Sequence, residues 1–363
     1  MINNKVTPLV SVIMCTYNEE DEILKQAVNS IYNQTYKNIE LIIIDDCSKK
    51  PVSEVINNPI SIIHRCDKNQ GIGTARNIGF DLSHGKYIAI MDADDIAVKD
   101  RIEKQVKYME EHDECDLCLG YMQTIENGKF VGNLIGKPIP DKKITDIRFL
   151  FQNIGMANPT VMFRANYIKD NNIRYDESYK RNSDYRLWSQ IIGKINTKVL
   201  DDTLVFYRTG SKKSIKKIDI NDFEYENFDT QGDYFYDLFN KKYGDSKIFY
   251  VFSLNCVFAE KYEVKVLFNR IKEENKTANK FDEKDLNKEL SFQWLRYLIK
   301  VKLLNKKYLI NCIFDLETIK CLIPSHLLYI YNNHLFQKRH ENIVKKNSVG
   351  LWEKYIKENK YEV

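Results

Sequence analysis

Apolar runs and helical stripes alternate along the first 210 residues. Val10-Ser11-Val12-Ile13-Met14 reads as a buried strand, and Glu22 to Gln34 follows as a helix with Ile23, Ala27, Ile31 and Gln34 at helical spacing. Ile39 to Ile44 is a nearly unbroken apolar run that ends in Asp45-Asp46. Ser61 to His64 predicts a third short strand, Thr74 to Ser83 a helix, Tyr87 to Met91 a strand ending in Asp92-Ala93-Asp94-Asp95, and Arg101 to Glu111 a helix. Strands apolar on both faces and separated by helices predict a parallel α/β sheet covered on both sides. In such sheets ligands bind beyond the C-terminal strand ends. Three of these strands end in polar or acidic clusters: Thr16-Tyr17-Asn18-Glu19, Asp45-Asp46 and Asp92 to Asp95. If the strands are neighbours, the three clusters share one crevice.

After about residue 215 the texture changes. Gly and Pro nearly vanish, and Lys, Asn, Tyr, Phe and Leu recur at helical spacing. Ile248 to Ala259 reads as a buried helix. Trp294, Leu295, Leu298, Ile299, Val301 and Leu303 make an apolar stripe, edged by Arg296, Lys300, Lys302, Lys306 and Lys307. The division expected is a sheet domain over residues 1–214 and a helical region over 215–363, fraying after Lys345.

Charge sharpens that division. The 363-residue chain holds 55 Lys and Arg against 51 Asp and Glu, a net of +4 that does not advertise nucleic-acid binding. Residues 1–214 contain 29 basic and 29 acidic side chains, so the surplus lies in 215–363. A basic amphipathic stripe there has two readings: a helix resting on an anionic membrane surface, or one packed on its own domain with a solvated basic face. No run of about 18 uncharged apolar residues occurs, which argues against a spanning helix. The opening residues lack a secretory pattern, and eight scattered cysteines lack disulfide-scaffold density. A reduced, cytoplasmic setting is expected. Cys115 and Cys118 form one CxxC with no second ligand pair, so structural cysteines are favoured over zinc.

The acidic turn is the first candidate for chemistry. Three carboxylates within Asp92-Ala93-Asp94-Asp95 repel one another unless a cation compensates, and oxygen donors of this type suit Mg²⁺ or Mn²⁺. A solvated acidic turn is the alternative. Gly71-Ile72-Gly73-Thr74-Ala75-Arg76-Asn77 can offer backbone amides and Arg76 to an anion, or form a tight turn with a structural arginine. Asp45-Asp46 can accept hydrogen bonds from a base or ribose, or cap a turn.

Together these blocks resemble the family-2 glycosyltransferases, nucleotide-sugar enzymes of the GT-A fold. The resemblance runs from Pro8 to about Arg208. It is carried by Val10 to Glu19, Ser30 to Tyr36, Glu40 to Ser48, Gly71 to Asn77, Gly85 to Asp95, Asn158 to Arg164 and Ser183-Asp184-Tyr185-Arg186-Leu187-Trp188. In the Asn158 and Asp184 blocks the chain looks like bacterial transferases that build O-antigen, capsule or lipooligosaccharide. The fold implied is a GT-A α/β domain with a mainly parallel sheet, plus a helical C-terminal extension.

The resemblance implies roles residue by residue. Cys15, through its backbone, with Thr16, Tyr17, Glu19 and Asp46 surrounds uridine, and Gly71, Ala75 and Arg76 lie near the nucleotide. Asp92, Ala93 and Asp94 match the DxD motif, Asp92 on ribose or sugar and Asp94 on the metal, with Asp95 extending the acidic metal turn. Asp184 matches the catalytic base; Ser183 stands where the family usually has another acid. The implied reaction is inverting, metal-dependent transfer from a UDP-sugar to a hydroxyl of a glycan or lipid-linked acceptor, with Mn²⁺ or Mg²⁺ as cofactor. It is expected in the cytoplasm or peripherally on the inner membrane face. A nucleotidyltransferase, or a catalytically silent sugar-nucleotide-binding partner, are the competing readings. Without the other blocks Asp184 reads as a helix N-cap, and Trp188 as a core residue rather than an acceptor platform.

Overall fold

The computed structural model describes residues 7–57, 61–135, 142–151, 156–180, 182–209, 230, 233–239, 261–304 and 347–358. Nine strands form one sheet: β1 (Val10–Thr16), β2 (Ile39–Asp45), β3 (Ser61–Arg65), β4 (Tyr87–Asp92), β5 (Ile96–Ala97), β6 (Leu117–Glu126), β7 (Lys129–Ile135), β8 (Met162–Arg164) and β9 (Thr197–Thr209). Their order is β3-β2-β1-β4-β8-β6-β9-β5, with β7 on β6. The half that contains β3, β2, β1 and β4 is parallel. Beyond β4 the sheet is mixed, β8 running antiparallel to both β4 and β6 while β6 and β9 run parallel.

The helices follow the apolar spacing. They are α1 (Asp21–Tyr32), α2 (Ile72–Leu82), α3 (Arg101–Glu111), α4 (Lys142–Phe149), α5 (Ala165–Asp170), α6 (Ser183–Ile191), α7 (Lys261–Ala278) and α8 (Glu283–Leu304). Successive residues of β1 enter opposite layers: Ile13 and Cys15 pack on the α2 side, Val10, Val12 and Met14 on the α1 and α3 side. That two-sided burial is why the strand reads as a continuous apolar run.

Register aligns the chemistry. Cys15 lies opposite Ile44 on one side and Asp92 on the other, and Thr16 lies opposite Asp45. The strands carrying the three polar clusters are therefore neighbours that end at one level. The condition set for a shared crevice, that the strands be neighbours, is met.

The C-terminal region shares the core of the sheet domain. Val264, Leu267, Phe268, Ile271, Leu286, Leu290 and Trp294 join the same apolar cluster as Ile147, Phe149 and Phe151. Arg148 donates to both carboxylate oxygens of Glu289 at 3.0 and 2.9 Å, tying α4 to α8 through a buried ion pair. One expectation changes here. Residues 347–358, expected to fray, form a helix whose Trp352 packs on Phe206 of β9. Trp294, which opens the basic-edged apolar stripe, is buried in the protein core, which favours the packed-helix reading over the membrane-surface one. The side chains from 296 to 304, and the expected helix Ile248 to Ala259, lie outside the described residues. Among the described residues no helix is long and apolar enough to cross a membrane.

Candidate active site

The loops after β1 and β2 are laced together. The Asp46 N–H donates to the Thr16 carbonyl at 2.9 Å, the Asn18 N–H to Ser48 Oγ at 2.9 Å, and the Lys49 N–H to Asn18 Oδ1 at 2.7 Å. Asn18 has φ +54°, a left-handed turn that asparagine tolerates better than most residues. Beside this turn lies a cavity of about 560 Å³ lined by Thr16, Tyr17, Glu19, Leu24, Lys49 and Val52 among others. Tyr17 is half exposed, and Thr16 Oγ1 is buried without a hydrogen-bond partner among the described residues.

The paired aspartates at the end of β2 divide their work. Asp45 is fully buried; burial alone would raise its pKa, but hydrogen bonds from Ser48, the Val52 N–H and Arg65 outweigh that and hold it below the ordinary carboxylate range. Asp46 accepts the N–H groups of Gln70 at 2.8 Å and Gly71 at 2.9 Å. Its carboxylate thereby fixes the glycine turn that opens α2, where Gly71 has φ +92°. The Gly71 N–H is aimed at a protein carboxylate rather than into the crevice, and Ala75 continues the helix with its N–H on the Gly71 carbonyl.

Arg76 is buried beside the end of β4. It donates to Asp92 Oδ1 at 3.1 Å and lies over the Tyr175 ring at 5.1 Å. Burial would lower its pKa, yet the charges of its surroundings, including Asp92 and Asp184, raise it, so it stays a cation. Cys15 is also buried here, its thiol pushed up to about 12 chiefly by burial, and so is neutral. Asn77, one helical residue on, exchanges hydrogen bonds with the Tyr175 backbone at 2.9 Å each way. This ties the segment before α6 onto α2. The Tyr175 hydroxyl donates to Asn158 Oδ1 at 3.1 Å.

The acidic turn follows β4. Burial, with the charges of Asp92 and Glu19, pushes Asp94 up to about 7. Ala93 is buried between the two acids. Asp95 is fully buried and also raised by burial and by its two acidic neighbours; its Oδ1 accepts the Arg208 N–H at 2.9 Å, and its Oδ2 has no partner among the described residues. Asp95 thus faces β9, whereas Asp94 keeps the more solvent-accessible place in the turn.

Asp184 sits in the first turn of α6, with Asn182 at the cap position. Burial raises its pKa, opposed by the Arg76 charge and by the Tyr185 N–H, which donates to its Oδ1 at 2.8 Å. Ser183 points its hydroxyl into the interior. Trp188 is fully buried and stacks on Phe163, as the core reading expects. Cys115 and Cys118 are free and buried, Cys115 bonding to the Leu117 carbonyl.

Residues Asp92, Arg76 and Asp184 are brought together, with Asp94 beside Asp92. Two contributors had no signal in the sequence: Tyr175, the ring under Arg76, and Arg208, which clasps the acidic turn from β9. Among the described residues no group of three or more His, Cys, Asp or Glu forms a complete cage for a metal. The donor set nevertheless fits Mg²⁺ or Mn²⁺, which take one or two carboxylates and leave the remaining positions to water and phosphate oxygens.

The family model "Glycosyl transferase family 2" matches residues 11–171. An uncharacterised glycosyltransferase of Methanocaldococcus jannaschii is 35% identical over 57% of this chain and 73% of its own length. The UDP-Glc:alpha-D-GlcNAc-diphosphoundecaprenol beta-1,3-glucosyltransferase WfaP of Escherichia coli is 31% identical over 55% of this chain and 77% of its own. An uncharacterised glycosyltransferase of Haemophilus influenzae is matched over 60% of its length. Among solved structures, S. aureus TarS superposes with a TM-score of 0.53 at 19% identity, over 83% of this chain and 55% of that one. TarS has also been crystallised with UDP and with UDP-GlcNAc. Sheet order, strand-end chemistry and these likenesses agree on a GT-A fold and set the nucleotidyltransferase reading aside: the chain belongs to glycosyl transferase family 2 and is a glycosyltransferase.

Proposed function

We propose that the chain transfers a sugar from a UDP-sugar to a hydroxyl of a lipid-linked glycan, with inversion at the anomeric carbon, in the synthesis of a bacterial surface polysaccharide. The observation that carries this reading is that Asp92 and Asp184 flank one buried cation, Arg76, beside the raised Asp94. Such a site separates the two tasks of the reaction, holding a diphosphate on one side and accepting a proton on the other.

Thr16, Tyr17, Glu19 and the loop set by Asp46 receive the nucleoside. Asp92 and Asp94 hold the sugar and the divalent cation, which supplies Lewis-acid stabilisation of the leaving diphosphate. Arg76 adds a fixed positive charge that costs no reorganisation during reaction. Asp184 takes the proton of the acceptor hydroxyl as its oxygen bonds to the anomeric carbon and the bond to the diphosphate breaks. Direct attack by the acceptor, with Asp184 as its base, is a single displacement, so an α-linked donor yields a β-linked product.

The donor and acceptor classes draw on the relatives. WfaP by its name uses UDP-Glc and a diphosphoundecaprenol acceptor, and the putative teichuronic acid biosynthesis glycosyltransferase TuaG of Bacillus subtilis is 33% identical over 54% of its length. The reaction belongs at the cytoplasmic face of the membrane, where the basic surplus of residues 215–363 favours an anionic leaflet. The test incubates the full chain with Mn²⁺, a panel of UDP-sugars and membrane-lipid acceptors. Transfer that EDTA abolishes is expected. No transfer, no donor hydrolysis and no metal-dependent UDP binding would overturn the reading.

A further inference from the structure

Arg208 is the penultimate residue of the long strand β9. Three hydrogen bonds leave it. Its N–H donates to Asp95 Oδ1 at 2.9 Å, its Nε to the Asp94 carbonyl at 2.9 Å, and its Nη2 to Gln26 Oε1 on α1 at 2.8 Å. The residue therefore grips the acidic turn by both its side chain and its main chain, and fastens it to α1. The fixed fork of the guanidinium reaches a carbonyl and an amide oxygen at once.

The grip stands on a rigid base. The two residues after the turn, Ile96 and Ala97, pair antiparallel with Phe206 and Val205, two and three positions before Arg208. The Val98 N–H bonds to the Leu204 carbonyl at 2.9 Å, and the Ala97 N–H to Ser30 Oγ of α1 at 3.0 Å. Trp352 of the helix over 347–358 packs edge-on against Phe206, and Ser348 bonds to Thr203 of the same strand. Arg208 is also the cation that pulls down both Asp94 and Asp95 while burial pushes them up.

We infer that Arg208 is a positioning residue: it sets where the Asp94 carboxylate stands and so how tightly a divalent cation and a diphosphate are held together. The inference rests on the proposed metal-dependent use of a UDP-sugar. It gives Arg208 no contact with substrate; its action passes through the turn. Gln26 is the far anchor, and the chain's C-terminal helix braces the strand that carries the arginine.

The test measures UDP affinity by calorimetry with Mn²⁺ and again in EDTA, on the full chain. Arg208→Ala keeps the N–H on Asp95 but loses the fork; the metal-dependent gain in UDP affinity is expected to fall about tenfold to a hundredfold, with affinity in EDTA unchanged. Arg208→Lys keeps the charge without the fork and is expected between the two. Gln26→Ala, a surface-side change that leaves β9 intact, is expected to lose a smaller part of the same gain, and it keeps the idea testable should Arg208→Ala fold poorly. Variants that keep the wild-type gain, or that lose affinity equally with and without metal, overturn the positioning role alone. A wild type with no metal-dependent gain overturns it together with the proposed function.

Discussion

The two halves of the sheet are held by different means. Around β1, β2 and β4, buried carboxylates organise nearby loops: Asp45 holds Ser48 and Val52, and Asp46 holds Gln70 and Gly71. These bonds join a strand end to the turns beside it, across 3 to 25 positions of sequence. The mixed half is held across long sequence separations, by the Arg148–Glu289 pair, by Phe149 against Tyr185 and Tyr234, and by Phe206 against Trp352. The first half carries the residues assigned to the donor. The second presents Asp184 on α6. Donor binding and proton acceptance should therefore fail separately.

The sharpest break is at Asp184. Asp184→Asn keeps the shape and one acceptor oxygen but cannot take a proton. Transfer should fall about 10²- to 10⁴-fold with UDP affinity unchanged. Steady-state transfer rates beside calorimetric UDP binding check this, and a variant retaining full activity would show that another group is the base. The largest expected effect on stability belongs to the same half. Glu289→Ala leaves Arg148 buried without its carboxylate, a loss of about 3–5 kcal/mol by urea denaturation. Replacing both partners by Met and Leu should recover most of it, because the desolvation of two charges is removed with their attraction.

The same contrast explains what the sequence discloses. The Arg101 to Glu111 helix and the strand Tyr87 to Met91 are legible because a local pattern spells each, a helical period in one and an unbroken apolar run in the other, and the acids after the strand stand out as chemistry. β6 was not. Gly120, Gln123 and Thr124 interrupt its apolar run, and its partner β9 lies some 80 positions away, so no local period marks the pair. Arg208 and Tyr175 were hidden for the same reason: each acts on residues about a hundred positions distant, and neither belongs to a patterned block. The helix over 347–358 looked like a fraying tail because its polar spacing says nothing of Phe206, the surface that receives Trp352. The role of Asp46 was open in the sequence between base contact and turn capping, and its two bonds to Gln70 and Gly71 add the structural task.

Arg76 is where the halves meet, and pH separates its effects. Burial raises the Asp184 pKa and Arg76 opposes that rise. The base works ionised, so transfer is lost as pH falls through this raised pKa. Removing the cation by Arg76→Gln lets the pKa climb further, and the acidic limb of the kcat/KM profile should move to higher pH. An unmoved limb would mean that Arg76 serves only Asp92. A limb that moves to lower pH would contradict the geometry outright.

Two glycines at the start of α2 give the finest separation. Gly71 has open space for a Cβ but φ +92°, so Gly71→Ala is paid in backbone strain alone, about 1–3 kcal/mol. Relief of that strain turns the Gln70 and Gly71 N–H groups away from Asp46, and UDP affinity should drop while the rate at saturating donor holds. Gly73 has an ordinary φ, but its Cβ would meet the Asp176 carbonyl at 3.0 Å, in the segment that leads to Asp184. Gly73→Ala asks that segment to yield by a few tenths of an ångström, at a cost of about 1 kcal/mol or slightly more. The expected signature is the reverse of its neighbour's: a lower rate at saturating donor with UDP affinity kept. If both variants lowered affinity and rate together, the two regions would be one mechanical unit, and the separation of donor binding from proton acceptance would be lost.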